Sequence, residues 1–240
     1  MPKVHINRSI LIKAAPEKVF ESLIDFRQWA VWSPWLILEN RPTVEYAEDG
    51  LSYRWSGNRI GEGVMRISSK NPSREVTYDL AFVKPYKSKA KIVFNLVVEG
   101  QHTAVTWKMN SSLPFFLGWM KKSLVANLSA DYDRGLLMLK DFLEKGEVPS
   151  ELVEEGMVTY PGCKYVGTTT ECALEDMANV MEQDTKELSF WIDNEELDIV
   201  GEPLTIYHKL DRVKSQCAFT VAVPVREIPG ALPDPFHEGK

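Results

Sequence analysis

The chain has 240 residues, of which 44% are hydrophobic and 26% charged, with 14 glycines and 14 prolines. These are ordinary globular proportions, which exclude a disordered, collagenous or coiled-coil protein. A net charge of −6 and the lack of a basic helix speak against nucleic-acid binding, and apolar runs such as Leu113–Met120 are too short to span a bilayer.

Charge divides the chain in two. Residues 1–148 carry 21 Lys+Arg against 16 Asp+Glu, whereas residues 149–240 carry 7 against 18. Trp29, Trp32, Trp35, Trp55, Trp107 and Trp119 lie in the first part and Trp191 alone in the second. Such a step predicts two modules with different surfaces, 1–148 and 149–240. Their seam is Glu144–Ser150, where a helix-ending Gly146 is followed by Pro149. The N-terminus has no apolar secretory core. Cys163, Cys172 and Cys217 form no CxxC, so a cytoplasmic protein is expected.

In chain order, Val4–Lys13 alternates as a strand. Pro16 opens a short helix carrying Val19, Phe20, Leu23 and Phe26, and Trp29–Trp35 reads as a helical turn stopped at Pro34. Strands follow at Leu51–Trp55, Gly61–Ile67, Val76–Phe82, Ala90–Val98 and Val105–Met109, with a turn at Glu99–His102. Sequential hairpins of this kind make an antiparallel sheet with one covered face. The cover is a helix whose stripe runs Leu124, Leu128, Tyr132, Leu136, Leu139 and Leu143, with Gly135 beside it for close approach and Gly146 as its cap. Counted from Pro114 to Lys145, that helix would be about 48 Å long at 1.5 Å per residue, so a kink near Trp119–Ser123 is expected. Sheet and helix together predict an α+β fold with a hollow or an aromatic core between them.

The segments SILIKAAPEKVFESLIDFRQWAVWSPW (9–35), YRWSGNRIGEGVMRI (53–67), TWKMNSSLPFFLGWM (106–120) and DYDRGLLMLKDFLEKG (131–146) carry a resemblance to the START-like helix-grip superfamily, in its polyketide cyclase/dehydrase-type (SRPBCC) branch. It implies a strand, a helix, a helical turn, a six-stranded meander and a long C-terminal helix. It also implies a cavity for lipids, polyketides, hormones or other apolar molecules. Members range from carriers to cyclases, so the fold does not select a reaction.

Inward parity places Tyr53, Trp55, Met65, Tyr78, Phe82, Phe94 and Trp107 on the cavity wall, with Trp32, Trp35, Phe116 and Trp119 at its mouth and Leu124 and Leu128 facing it from the helix. The plainer reading is that these rings pack as core, although six tryptophans exceed what a core of one helix and one sheet usually needs. Acid–base chemistry has little to work with. His5 reads as a surface strand residue and His102 as a turn residue, while Arg54, Glu62 and Asp79 alternate toward solvent. Asp131 and Asp133 face different directions. Tyr53, Tyr78 or a group at the cavity mouth would be the available acid. No metal-ligand spacing or phosphate-binding glycine loop occurs, so no cofactor is expected.

In the second module, Val153–Pro161 and Cys163–Cys172 read as strands, 173–193 as an amphipathic helix with Leu174, Met177, Met181, Leu188 and Trp191, and Leu204–Leu210 and Ala218–Val225 as strands. YPGCKYVGTTTECALEDM (160–177), WIDNEELDIVGEPLTIYH (191–208) and FTVAVPV (219–225) resemble the first half of a GyrI-like effector-binding domain of bacterial transcription activators. That resemblance implies a pseudo-twofold pair of units with a ligand groove between them; Trp191 and Tyr207 are the groove candidates, although Trp191 reads more readily as plain helix core. The chain ends about where the second unit should start, so the module reads as an incomplete half, with three readings open: the second half is absent, a second copy of the chain supplies it in a homodimer, or the sequence is a fragment. His208, on the apolar parity, reads as core, and the cysteines as small buried hydrophobes.

Two readings stay open. One is a binder, carrier or sensor of an apolar or aromatic small molecule, with the second module for effector binding or assembly. The other is a cyclase/dehydratase-like enzyme working in the same cavity.

Overall fold

The computed structural model describes residues 2–39, 42–113, 115–149, 156–157 and 159–240, without the side chains of 115–117. The chain separates into two compact units, Met1–Glu155 and Gly156–Lys240.

In the first unit, β1 (Lys3–Ile12) leads into α1 (Pro16–Ile24) and α2 (Phe26–Trp32). Pro16 at the start of α1 gives up an amide that has no intrahelical partner. The Asp25 carboxylate then caps α2 by accepting from the Arg27 amide at 3.0 Å. The strands β2 (Thr43–Tyr46), β3 (Ser52–Gly57), β4 (Gly61–Asn71), β5 (Glu75–Lys84), β6 (Ser88–Glu99) and β7 (His102–Ser112) follow. They form a seven-stranded sheet in the order β1-β7-β6-β5-β4-β3-β2, antiparallel throughout. Register shifts between Glu62 and Gly63 and between Ile67 and Ser69 on β4 are bulges of the kind that bend a sheet. The short β2, unforeseen from the sequence, extends the sheet beside β3.

The long helix α3 (Lys121–Lys145) starts later than the sequence suggests, because Phe115–Met120 winds as a 3-10 turn. It ends as expected, with Gly146 in the left-handed region at φ 85° and its amide donating to the Phe142 carbonyl. The apolar stripe of α3 is unevenly buried. Tyr132, Leu136, Leu139 and Leu143 are each at most 3% exposed, whereas Leu124 and Leu128 are only half-buried. The C-terminal half of the helix therefore seals the core, and its N-terminal half stands off from the sheet. This is a helix-grip arrangement: a curved antiparallel sheet and a long helix in an α+β fold.

The second unit has β8 (Tyr165–Ala173), α4 (Met177–Asn194), β9 (Leu204–Asp211), β10 (Gln216–Pro224) and β11 (Phe236–Gly239), with sheet order β11-β8-β10-β9. Leu188 and Ile192 of α4 close one face against Phe219, Val221 and Val223. The strand expected over Val153–Pro161 lies partly outside the described residues, and its described part, 156–157 and 159–161, forms no strand. Trp191 packs on Phe236 with ring centroids 5.0 Å apart, while Tyr207 is 55% exposed. His208 is not core. The β9–β10 register skips it, pairing Ala218 with Lys209 and Phe219 with Tyr207, and a bulged residue leaves the parity of its strand. Its Nε2 lies 2.6 Å from Thr220 Oγ1. Of the cysteines only Cys217 is fully buried, and its sulfur lies 3.5 Å from that of Cys172, with all three thiols free.

Candidate functional site

Where the N-terminal half of α3 stands off, a cavity of about 260 Å3 opens between helix and sheet. Its sheet wall comes from alternate residues of four strands: Tyr53 and Trp55 on β3, Met65 on β4, Leu80 and Phe82 on β5, and Ala90 and Ile92 on β6. Trp107 and Met109 of β7 continue the wall, α3 closes it with Leu124, Leu128 and Tyr132, and α2 and the segment after it add Trp29, Ser33, Trp35 and Leu36.

Two glycines make this geometry possible. A side chain at Gly63 would collide with the Trp55 ring, so the bare backbone lets that indole lie against the sheet. A Cβ at Gly135 would stand 2.8 Å from Trp107 and 3.1 Å from Pro34, so α3 can descend onto both only because none is there. Trp29 is held by its own polar end. Its Nε1 donates to the Leu23 carbonyl at 2.9 Å, and the Tyr78 hydroxyl donates to the same oxygen at 2.7 Å. That carbonyl lies in the last turn of α1, where it has no intrahelical donor.

Of the residues expected at the site, Trp35, Tyr53, Trp55, Met65, Phe82, Trp107, Leu124 and Leu128 line the cavity. Trp32, Tyr78 and Phe94 do not, and each is completely buried. Phe94 stacks on Trp107 with centroids 4.7 Å apart, and Trp32 meets Trp29 at 4.5 Å. These three rings are the packed layer behind the wall. Trp119 is 81% exposed, because it rides the 3-10 turn and not the helical stripe. The Phe116 side chain lies outside the described residues. Leu36, Ile60, Leu80, Tyr86, Ala90, Ile92, Met109 and Tyr132 line the cavity without having been singled out. Strand parity could have found Leu80, Ala90, Ile92 and Met109, and helix spacing Tyr132; the loop residues carried no signal.

No residue lining the cavity, among those described, is charged. Burial pushes the Tyr53, Tyr78 and Tyr132 hydroxyls above their ordinary value of 10.0, since a phenolate there would lose its hydration. For Tyr132 the nearby Trp107 indole N–H partly opposes that shift. His5 lies on the surface, 2.7 Å from the Asn110 side chain. Glu62 pairs with Lys84 at 2.5 Å, and Asp133 with Arg8 at 3.2 Å. Among the described residues no cluster of three or more His, Cys, Asp or Glu is placed to hold a metal, and no helix is long and apolar enough to cross a membrane.

The arrangement can enclose an apolar body and offer it hydroxyls. Three solved structures are similar to part of this chain. Aha1 from Colwellia psychrerythraea, solved as a dimer, is 22% identical with a TM-score of 0.45, over 60% of this chain and 98% of that one. XoxI from Bacillus cereus is 16% identical with a TM-score of 0.45, over 58% and 95%. CalU16 from Micromonospora echinospora is 13% identical with a TM-score of 0.40, over 62% and 85%. Comparison with curated proteins finds no match. The model of the family described as polyketide cyclase/dehydrase and lipid transport matches residues 3–144, the stretch that builds both grip and cavity, and the chain belongs to that family.

Proposed function

We propose that the first unit is a cytoplasmic binder, a carrier or sensor, of an apolar or aromatic small molecule held in the helix-grip cavity. The observation that carries this reading is a cavity whose lining, among the described residues, is uncharged and mostly aliphatic or aromatic, the usual form of a small-molecule site. Catalysis is less well supported. The cavity wall holds no carboxylate and no imidazole among the described residues, and its tyrosines are shifted upward, which makes them poorer proton donors. The residues proposed to meet the ligand are Trp35, Tyr53, Trp55, Met65, Phe82, Trp107, Leu124 and Leu128. Native mass spectrometry of the purified chain, followed by denaturing extraction, tests this. A stoichiometric apolar adduct is expected, and turnover of that adduct to a product would overturn the carrier reading.

The second unit, in the same proposal, is a GyrI-like half-domain used for effector binding or assembly. Its support is the resemblance over 160–225 together with an outer strand, β9, that among the described residues has no neighbour beyond it in the sheet and exposes Tyr207 and Leu210. Sedimentation equilibrium is expected to show a dimer, and a monomer at the highest attainable concentration would remove the assembly role.

A further inference from the structure

The second unit holds a pair of thiols that its sheet brings face to face. Cys172 on β8 and Cys217 on β10 are 45 positions apart in the chain and directly opposed in the antiparallel register, so their side chains leave the same face of the sheet. Opposed residues of an antiparallel pair have Cα atoms about 4.5–5.5 Å apart, inside the range that a disulfide bridges. The two sulfurs are 3.5 Å apart, and the Cys217 thiol also meets the Cys172 carbonyl at 3.7 Å, which holds it over that one residue. Closing the gap to the roughly 2.0 Å of a sulfur–sulfur bond takes side-chain rotation and no movement of the strands.

The two thiols differ in access. Cys217 is 1% exposed and belongs to the core under α4, whereas Cys172 sits at the margin of that core and is half-buried. Both border an open surface hollow with Glu171, Lys209, Lys214 and Gln216, through which a small oxidant reaches Cys172 first. Cys163 does not compete within the chain. The strand β8 begins only at Tyr165, so Cys163 lies beyond its far end, more than about 20 Å from Cys172 at 3.3 Å per residue. Burial, and after it the Cys217 thiol, push the Cys172 thiol up to about 11. Such a thiol is mostly protonated near neutrality, but its thiolate attacks disulfides readily and, once bonded, is a poor leaving group. The bond therefore forms slowly and lasts.

We infer that Cys172 and Cys217 form a modification site, a dithiol that a small disulfide such as oxidised glutathione converts to a cross-strand disulfide clipping β8 to β10. The Cys172 thiolate attacks one sulfur of the oxidant and releases one small thiol, leaving a mixed disulfide. The Cys217 thiolate then attacks the Cys172 sulfur and releases the second. In all, two protein thiols give up two electrons and two protons, and the oxidant becomes two thiols. Everything between the cysteines, α4 and the outer strand β9 included, becomes a closed loop, which narrows the unfolded ensemble. In a reducing cytoplasm the pair stays open, so the second unit tightens only when the surrounding glutathione pool is oxidised. The inference does not depend on what the cavity of the first unit holds.

The test incubates the whole folded chain with reduced or with oxidised glutathione, then unfolds it, blocks free thiols with iodoacetamide and digests it with trypsin. Cuts after Lys164, Lys186 and Lys214 put the three cysteines on separate peptides. The expected product of oxidation is peptide 165–186 joined to peptide 215–226, two hydrogens lighter than their sum, with Cys163 outside the bond. The calorimetric transition of the second unit should rise by about 10 °C and return on reduction. Cys163→Ser should behave as the unaltered chain, while Cys172→Ser, at the more accessible position, should show neither the joined peptide nor the rise. Three alkylated cysteines after oxidation, a lasting glutathione adduct on Cys172 beside an alkylated Cys217, or a bond made through Cys163 would each overturn the site. A joined peptide with no shift in unfolding would overturn the tightening of the second unit.

Discussion

The two units solve the same problem, covering one face of an antiparallel sheet with one long helix, and arrive at opposite interiors. In the second unit, α4 lays Leu188 and Ile192 onto Phe219, Val221 and Val223, and every residue of β10 from Cys217 to Pro224 is buried. In the first unit the sheet is wider and bent by bulges, and α3 reaches its floor only where Gly135 admits Trp107 and Pro34. Beyond that point Leu124 and Leu128 stay half-buried and the gap becomes a cavity. A hollow thus arises when the contact stripe of a helix is shorter than the concavity it spans.

The contrast can be broken or sharpened by mutation. The largest effect is expected from removing rings that both units treat as solid. Trp107→Ala and Phe219→Ala, at positions 1% and 0% exposed, should each cost about 3–5 kcal/mol, read as a lowered calorimetric transition. A cost below about 1 kcal/mol at Phe219 would mean that the second unit is not filled as described.

Alkali should discriminate next. Tyr53, Tyr78 and Tyr132 all lie in the first unit, with folded values raised above 10.0. Below pH 10 these hydroxyls are neutral in both states and their contribution is fully present. Above it the unfolded chain ionises them while the folded chain does not, so stability falls as pH rises. Tyrosinate absorbance should show these three ionising together with loss of structure, after the exposed tyrosines.

Adding bulk should then separate hollow from solid. Val221→Phe, in the closed interface, should cost about 1–3 kcal/mol from overpacking, whereas Leu128→Phe, which grows into the cavity, should change stability by less than about 1 kcal/mol. Equal penalties would mean that the first unit closes up in solution.

The smallest expected effect is the most specific. Tyr78→Phe deletes a satisfied bond to the Leu23 carbonyl and should cost about 1 kcal/mol. Tyr53→Phe deletes a hydroxyl with no partner among the described residues and should leave the stability of the unliganded protein unchanged, as thermal unfolding of the pair would show.

The grip itself was legible from the chain, because strand alternation and a helical stripe are local signals that survive folding. So was the end of α3, since a glycine after a leucine-rich stripe is a cap with few alternatives. The division between wall and core was not. Tyr53 and Tyr78, or Trp35 and Trp32, have the same chemistry and comparable spacing, and what separates them is how far a distant helix stands from each. Trp119 was misplaced because a 3-10 turn replaced the first turns of the expected helix. His208 was misplaced because one bulge shifts every side chain beyond it. Such features depend on contacts between segments remote in sequence, which periodicity cannot report.

The tryptophans give the cavity one more property. Trp29, Trp35, Trp55 and Trp107 stand on its wall, while the second unit has only Trp191, set against Phe236. Four of the chain's seven indoles are thus positioned to exchange excitation energy with anything occupying that space. An absorbing guest would quench the emission of these four. The protein carries its own optical gauge of occupancy, usable without labels.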